Sequence, residues 1–300
     1  MISISGRYVF VPVFICYFVW IHYFVQESGV FVQQPIAILD SGVGGLTVAK
    51  EVMRQLPLEK IIYFGDTGRT PYGPRSSEEV VRFTREIVDY LIQFNPKMIV
   101  IACNTATAAG LEDIRSRVEI PVVGVINPGA RAAIGLTATG CVGVIGTEGT
   151  IKSGAYEQAL RKIAPQIQVI SEACPRFVPL VEKGNFRSLE TYETVRSSIG
   201  HLRHFPIDTL ILGCTHYPFL TETISEVMGQ NVTLISSADE TAREIRMILE
   251  EKNNLAGGQH LPLHQFYCSG DQQLFRSITR QWLGQQIQLS PVLWQIPTIC

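Results

Sequence analysis

The chain has 300 residues, 46% of them apolar and 17% charged, with Lys+Arg 25 against Asp+Glu 27. That length and composition suit one or two globular domains and exclude a disordered or fibrous chain. A formal net charge of −2 removes the broad basic field that nucleic-acid binding ordinarily needs, so no nucleic-acid partner is expected.

In chain order, the first 34 residues stand apart: they hold nine of the 27 aromatic residues but only two of the 52 charged ones, Arg7 and Glu27. Between those two runs YVFVPVFICYFVWIHYFVQ, 19 residues without a charge. At about 1.5 Å per residue it is long enough to cross a bilayer as a helix. Pro12, His22 and a strand-favouring content of Val, Phe, Tyr and Ile speak against that reading. A secretory signal fits poorly, because no small-x-small cleavage site comes after it. No Met occurs between Met1 and Met53, so translation from Val30 or Val32 is a third reading. The expectation is that residues 1–34 are an unstructured extension or a start-site artefact, with membrane contact only if residues 8–25 insert.

From Pro35 onward, short Val/Ile-rich runs alternate with amphipathic stretches of helical length: IAILD (36–40), KIIYFGD (60–66), KMIVIAC (97–103), PVVGV (121–125), CVGVIG (141–146), DTLILGC (208–214) and VTLIS (232–236). Near-continuous apolar runs separated by helices describe parallel strands buried on both faces, an α/β fold. Ligands in such folds sit at the carboxyl ends of strands. The residues found there are DSGVGG, GDTGRTPYG, CNTA, GTEGT and CTHYP.

Two of these segments are alike. KMIVIACNTATA and DTLILGCTHYPF each run buried strand, small residue, Cys, then hydroxyl or amide side chains where a helix should start. Cys103 and Cys214 are 111 residues apart, about one domain length. The expectation is two similar parallel-sheet α/β domains related by pseudo-twofold symmetry, with the active site in the cleft between them. The first domain would comprise residues 35–126 plus 239–300 and the second 127–238. The seven cysteines include no CxxC pair, which gives no support to a zinc or disulfide framework and makes a reducing cytoplasm the default.

A cysteine between a strand's end and a helix's start has its thiolate favoured by backbone N–H groups and the helix dipole. One such thiol could be a nucleophile. Two facing each other suggest proton removal from one face of a carbon and return to the other, inverting a stereocentre. Because an α-hydrogen of an amino acid is very weakly acidic, donors must already await the developing charge. Asn104, Thr105 and Thr215 suit a carboxylate, and Asp40 with Ser41 suits an ammonium group. The sequence GVGGLT (42–47) departs from the dinucleotide fingerprint at its last position, and no Lys-Ser/Thr pair completes a P-loop. Its glycines are read instead as room for close backbone approach to a small anion or to the ammonium-binding acid.

DSGVGGLTV (40–48), GDTGRTPYG (65–73), ACNTATA (102–108), ACPRFVPLVE (173–182) and LGCTHYPFL (212–220) together resemble, in order and spacing, the cofactor-independent glutamate racemases. The resemblance spans about residues 35 to 280. It implies interconversion of L- and D-glutamate for peptidoglycan, without cofactor or metal, in the cytoplasm, with a homodimer as the expected assembly. It places the catalytic thiols on Cys103 and Cys214, with Cys103 deprotonating D-glutamate and Cys214 L-glutamate. Substrate contacts fall on Asp40, Ser41, Tyr72, Gly73, Asn104, Thr105, Thr215 and His216, with catalytic help from Asp40, His216 and Glu182. Plainer roles compete: an Asx turn for Asp40, a helix cap for His216, a solvated face for Glu182. Thr147 and Thr150 are read as a cap, and Cys141, Cys174 and Cys268 as packing residues. The alternatives for function are an aspartate or hydantoin racemase, and a non-catalytic binding or regulatory protein.

Overall fold

The computed structural model describes residues 3–4, 7–8 and 34–283, apart from 185 and 259. Ser3–Ile4 and Arg7–Tyr8 pair antiparallel within a unit separate from residues 34–300. The expectations for residues 8–25 fall almost wholly outside the described residues. Among those described, no helix is long and apolar enough to cross a membrane.

The larger unit carries two all-parallel sheets. The first joins β1 (Ile36–Asp40), β2 (Ile61–Gly65), β3 (Met98–Ile101), β4 (Val122–Gly124) and, from far along the chain, β9 (Gln265–Cys268), in the spatial order β9-β2-β1-β3-β4. The second joins β5 (Cys141–Gly146), β6 (Gln168–Ala173), β7 (Thr209–Gly213) and β8 (Thr233–Ser236), in the order β8-β7-β5-β6. In each sheet the first four strands lie second, first, third, fourth, so the two halves share one topology. β9 is an addition to the first.

Alternation along the strands explains why each sheet is buried on both faces. Ile36, Ile38, Ile61, Tyr63, Met98 and Val100 point into one apolar layer, and Ala37, Leu39, Ile62, Phe64, Ile99 and Ile101 into another. A slip of one residue would exchange the layers, and full burial contributes ~1.5–3 kcal/mol per large aliphatic side chain, so register is firmly set. Helices α1 (Leu46–Gln55) and α10 (Ser237–Glu251) cover the first layer. The second is covered by α2 (Ser77–Ile92) and α3 (Asn104–Arg117). Ser76 and Glu79 form a capping box that starts α2, the Ser76 hydroxyl accepting the Glu79 N–H at 3.2 Å.

The second sheet repeats the arrangement. Val142, Val144 and Ile211 pack under α4 (Ile126–Leu136) and α6 (Ala155–Ile163). Cys141, Ile145, Leu210 and Leu212 pack under α7 (Phe177–Glu182), α8 (Leu189–Ile199) and α9 (Thr221–Met228). Two strands escape a reading of apolar runs. QVISEA forms edge strand β6 with every residue at least partly exposed, and QFYC forms β9 against β2. α10 packs against both α1 and α4, joining the two halves.

At the amino ends of β2 and β3, Lys97 and Glu59 form an ion pair of 2.6 Å with both side chains buried. Lys97 Nζ also donates to the Asn254 carbonyl at 2.6 Å, and Glu59 Oε1 accepts the Ala256 N–H at 2.7 Å. The pair thus ties the segment after α10 to the base of the first sheet.

Candidate active site

β3 and β7 are the third strands of their sheets, and each delivers a cysteine at its carboxyl end. Cys103 caps α3, its sulfur accepting the Ala106 N–H at 3.5 Å while its thiol donates to Ser41 Oγ at 3.4 Å. Burial, then the charge of Asp40, push this thiol up to about 12, against the hydrogen bonds from Ser41 and the Ala106 amide. The expected helix start does not recur at Cys214. A 3-10 turn, Tyr217–Leu220, takes its place, with Pro218 in its first residues, and His216 supplies a side-chain partner instead. His216 Nδ1 stands 3.8 Å from Cys214 Sγ, and Nε2 stands 3.6 Å from Glu182 Oε1, a charge contact too long for a hydrogen bond. Burial would lower the imidazolium, but Cys214, Glu182 and Asp40 outweigh it and hold it up at about 10.

Both cysteines line one cavity of about 100 Å³. Of the residues expected from sequence, Ser41, Tyr72, Gly73, Asn104, Thr105, Thr215 and His216 line it with them. Asp40 and Glu182 stand behind the wall. Asp40 is fully buried, Oδ1 accepting the Gly42 N–H at 2.9 Å and Oδ2 the Thr215 hydroxyl at 3.3 Å. Burial raises its carboxyl above the usual range, opposed by His216 and these donors. Glu182 reaches the site through His216 and through the Thr70 hydroxyl at 3.5 Å. Among the described residues no Lys or Arg lines the cavity, so an anion would meet neutral donors and the His216 imidazolium, with the Glu148 carboxylate also on the wall.

The glycines make room for side chains more than for a ligand. A Cβ on Gly44 would lie 2.2 Å from Thr215 Oγ1 and 2.6 Å from His216 Nδ1, and one on Gly45 would lie 2.6 Å from Asp40 Cβ. Gly44→Ala must therefore displace Thr215 and His216. Misplacement of about 1 Å at a reacting centre costs on the order of 10²-fold in rate, which is the expected fall in kcat/KM, with an unchanged far-ultraviolet spectrum. Steady-state kinetics near the parent value would refute this packing argument.

The loop after β2 is held from below. Asp66, fully buried, accepts hydrogen bonds from Arg69 Nε at 2.6 Å, from the Tyr72 hydroxyl, and from Ser269 Oγ at 2.5 Å. Tyr72 thus spends its hydroxyl on Asp66 and presents ring and backbone to the cavity. Gly73 packs on Thr147, where a Cβ would lie 2.8 Å from Thr147 Cβ, and its carbonyl accepts the Gly149 N–H at 2.9 Å.

Thr147 does cap α5 (Glu148–Lys152), accepting the Thr150 N–H at 3.2 Å. It is also a wall residue whose hydroxyl lies 2.9 Å from that of Thr105, with Thr150 completing a three-hydroxyl cluster. Glu148, Thr70, Pro175, Val178 and Pro179 line the cavity too. The position of GTEGT at a strand's carboxyl end is the signal for Thr147 and Glu148, while Thr70 lies within GDTGRTPYG and Pro175, Val178 and Pro179 within ACPRFVPLVE without being singled out there. Among the described residues no cluster of His, Cys, Asp and Glu could hold a metal ion.

Over residues 47–245 the chain matches the family described as Asp/Glu/Hydantoin racemase. It is 56% identical over 253 residues to a glutamate racemase of Bacillus cereus, covering 84% of this chain and 94% of that one. The crystal structure of a glutamate racemase isoform from Bacillus anthracis matches with a TM-score of 0.82 at 50% identity, covering 85% of this chain and 95% of that one. A glutamate racemase from Francisella tularensis, solved in complex with D-glutamate, matches with a TM-score of 0.81 at 33% identity, covering 89% and 98%.

Proposed function

The chain belongs to the Asp/Glu/Hydantoin racemase family and is an amino-acid racemase, an isomerase, and from this we propose that it interconverts L- and D-glutamate with Cys103 and Cys214 as paired acid and base. The observation that carries the reading is the meeting of two cysteines, from equivalent strands of two like sheets, on one cavity. With D-glutamate bound, the Cys103 thiolate takes the α-proton and Cys214 gives its thiol proton to the opposite face. L-glutamate results, Cys103 now a thiol and Cys214 a thiolate, which is the protonation state the reverse reaction needs.

In the free site Cys103 is a neutral thiol, held so by burial and by Asp40. An ammonium group arriving beside Ser41 offsets the Asp40 charge and favours the thiolate, which couples activation of the base to substrate binding. Asp40 serves in this reading through its charge on Cys103 and its hydrogen bond from Thr215, as helper to the thiol. The His216 imidazolium stabilises the Cys214 thiolate, and Glu182 keeps that imidazolium charged. Asn104 and Thr215 meet the α-carboxylate, where charge grows as the proton leaves. The backbone of Tyr72 and Gly73, with the Thr105 hydroxyl, meets the distal carboxylate.

The relatives' shared name supports glutamate over aspartate. Circular dichroism of both amino acids tests it: a greater kcat/KM for aspartate would overturn the assignment of substrate, and inversion of neither would favour a binding role. The product suits the supply of D-glutamate for peptidoglycan in the cytoplasm, and loss of the gene should then be rescued by external D-glutamate.

A further inference from the structure

Asn104 comes directly after Cys103 and begins α3, yet its side chain is held from the other half of the molecule. Its Oδ1 accepts a 2.7 Å hydrogen bond from the hydroxyl of Tyr156 on α6. Its Nδ2 is buried and has no acceptor among the described residues, although Asn104 lines the cavity. The same tyrosine ring packs on Gly213, where a Cβ would sit 3.0 Å from Tyr156 Cε2, and Gly213 immediately precedes Cys214. One aromatic side chain therefore touches the residue after the first cysteine and the residue before the second.

The two ends of an asparagine amide have nearly the same shape, so packing alone does not choose between NH₂ and oxygen facing the cavity. The hydrogen bond does choose. A phenol can donate or accept; here the Tyr156 hydroxyl donates to Asn104 Oδ1, with the buried Ser237 at the start of α10 nearby. A Cβ placed on Gly129 would touch both groups, 3.2 Å from Ser237 Cβ and 3.4 Å from the Tyr156 oxygen. With the phenolic hydrogen on Asn104 Oδ1, the NH₂ is left as a donor that has no partner among the described residues and is open to a ligand.

We propose that Tyr156 is a positioning residue: by taking Asn104 Oδ1 it turns the amide so that Nδ2 is presented to the substrate carboxylate. The inference rests on the glutamate reading above. Without the hydroxyl the amide is free to flip, and its oxygen would then face a carboxylate that it repels.

The test is Tyr156→Phe, which keeps the ring and its packing on Gly213, made in the parent and in Asn104→Ala. Two readouts are followed: kcat/KM for each enantiomer and the calorimetric Kd of D-glutamate. Loss of one hydrogen bond to a charged group predicts an effect of about tenfold on both in the parent background. In Asn104→Ala the same change should cost less than about twofold, because residues acting through one contact are not additive. A purely structural role would lower Tm and reduce activity equally in both backgrounds.

Parent-like constants for Tyr156→Phe, or losses that multiply in the double variant, overturn the proposal. Should Tyr156→Phe fail to fold, fluorotyrosine at position 156 keeps the ring and makes its hydroxyl a stronger donor. A change in rate that vanishes in Asn104→Ala then supports the proposal, and a parent rate overturns it. If the parent binds D-glutamate without racemising it, the functional reading fails while the Kd coupling still decides the role of Tyr156.

Discussion

Cys103→Ser and Cys214→Ser are each expected to lower racemisation by at least about 10³-fold, since a positioned acid or base contributes roughly 10²–10⁴ and serine's hydroxyl is a far weaker acid than a thiol. The loss must be equal from both sides. L- and D-glutamate have the same free energy, so kcat/KM for the two directions stays equal in any variant, and racemisation rates cannot reveal which thiol serves which enantiomer. A glutamate analogue with a β leaving group can. Its elimination needs only the first step, removal of the α-proton as the leaving group departs with its electron pair. Cys103→Ser should keep elimination from the L-configured analogue and Cys214→Ser from the D-configured one. A single variant that racemises at the parent rate would sink the two-base reading. Elimination surviving for the opposite enantiomers would reverse the assignment of the thiols.

The second large effect concerns stability. Lys97→Met removes the cation from a pair whose side chains are only 4% and 2% exposed, leaving Glu59 as an uncompensated charge at the base of the first sheet. Such a break costs about 3–5 kcal/mol. For a domain of this size that is a fall of about 10 °C in Tm. Lys97→Met combined with Glu59→Gln should regain most of it, because the amide oxygen still accepts the Ala256 N–H and no charge is left buried. Thermal unfolding of both variants separates the cases: equal Tm values would mean that the pair's charge is not what the single substitution exposes.

The sequence made the central strands legible because both of their faces are covered. Ile36, Ile38, Ile61 and Val100 must be apolar in one layer and Ala37, Leu39, Ile62 and Ile101 in the other, so IAILD, KIIYFGD and KMIVIAC read as unbroken runs. β6 escaped because an edge strand exposed along its length carries Gln168, Ser171 and Glu172, which read as loop. The cysteines were legible because topology repeats, which put the same local pattern at the end of two third strands. The helix after Cys214 was misjudged because Pro218 and the short Tyr217–Leu220 turn replace what α3 does after Cys103. Asp66 lay inside a quoted motif, but its partner Ser269 is 203 residues away. Tyr156 lies in none of the quoted motifs and is buried with Ala159 and Leu160 on one face of α6. Contacts of that range arise from how the two halves meet, which no local pattern encodes.

The loop that carries Tyr72 and Gly73 is anchored by a residue made late. Ser269 lies just past β9, and β9 enters the first sheet only after the whole second sheet has been specified. Domains can fold as the chain emerges, at about 5–20 residues per second, and the first four strands are available to do so early. Their fifth strand and the anchor of Asp66 then arrive on the order of ten seconds or more after β4 has been synthesised. A chain that stops before β9 would carry both thiols and the loop with its Arg69 and Tyr72 bonds to Asp66, but without Ser269. The loop's hydrogen bonds from Arg69 and Tyr72 to Asp66 can thus form with the first four strands, while the one from Ser269 is added only once β9 has been made.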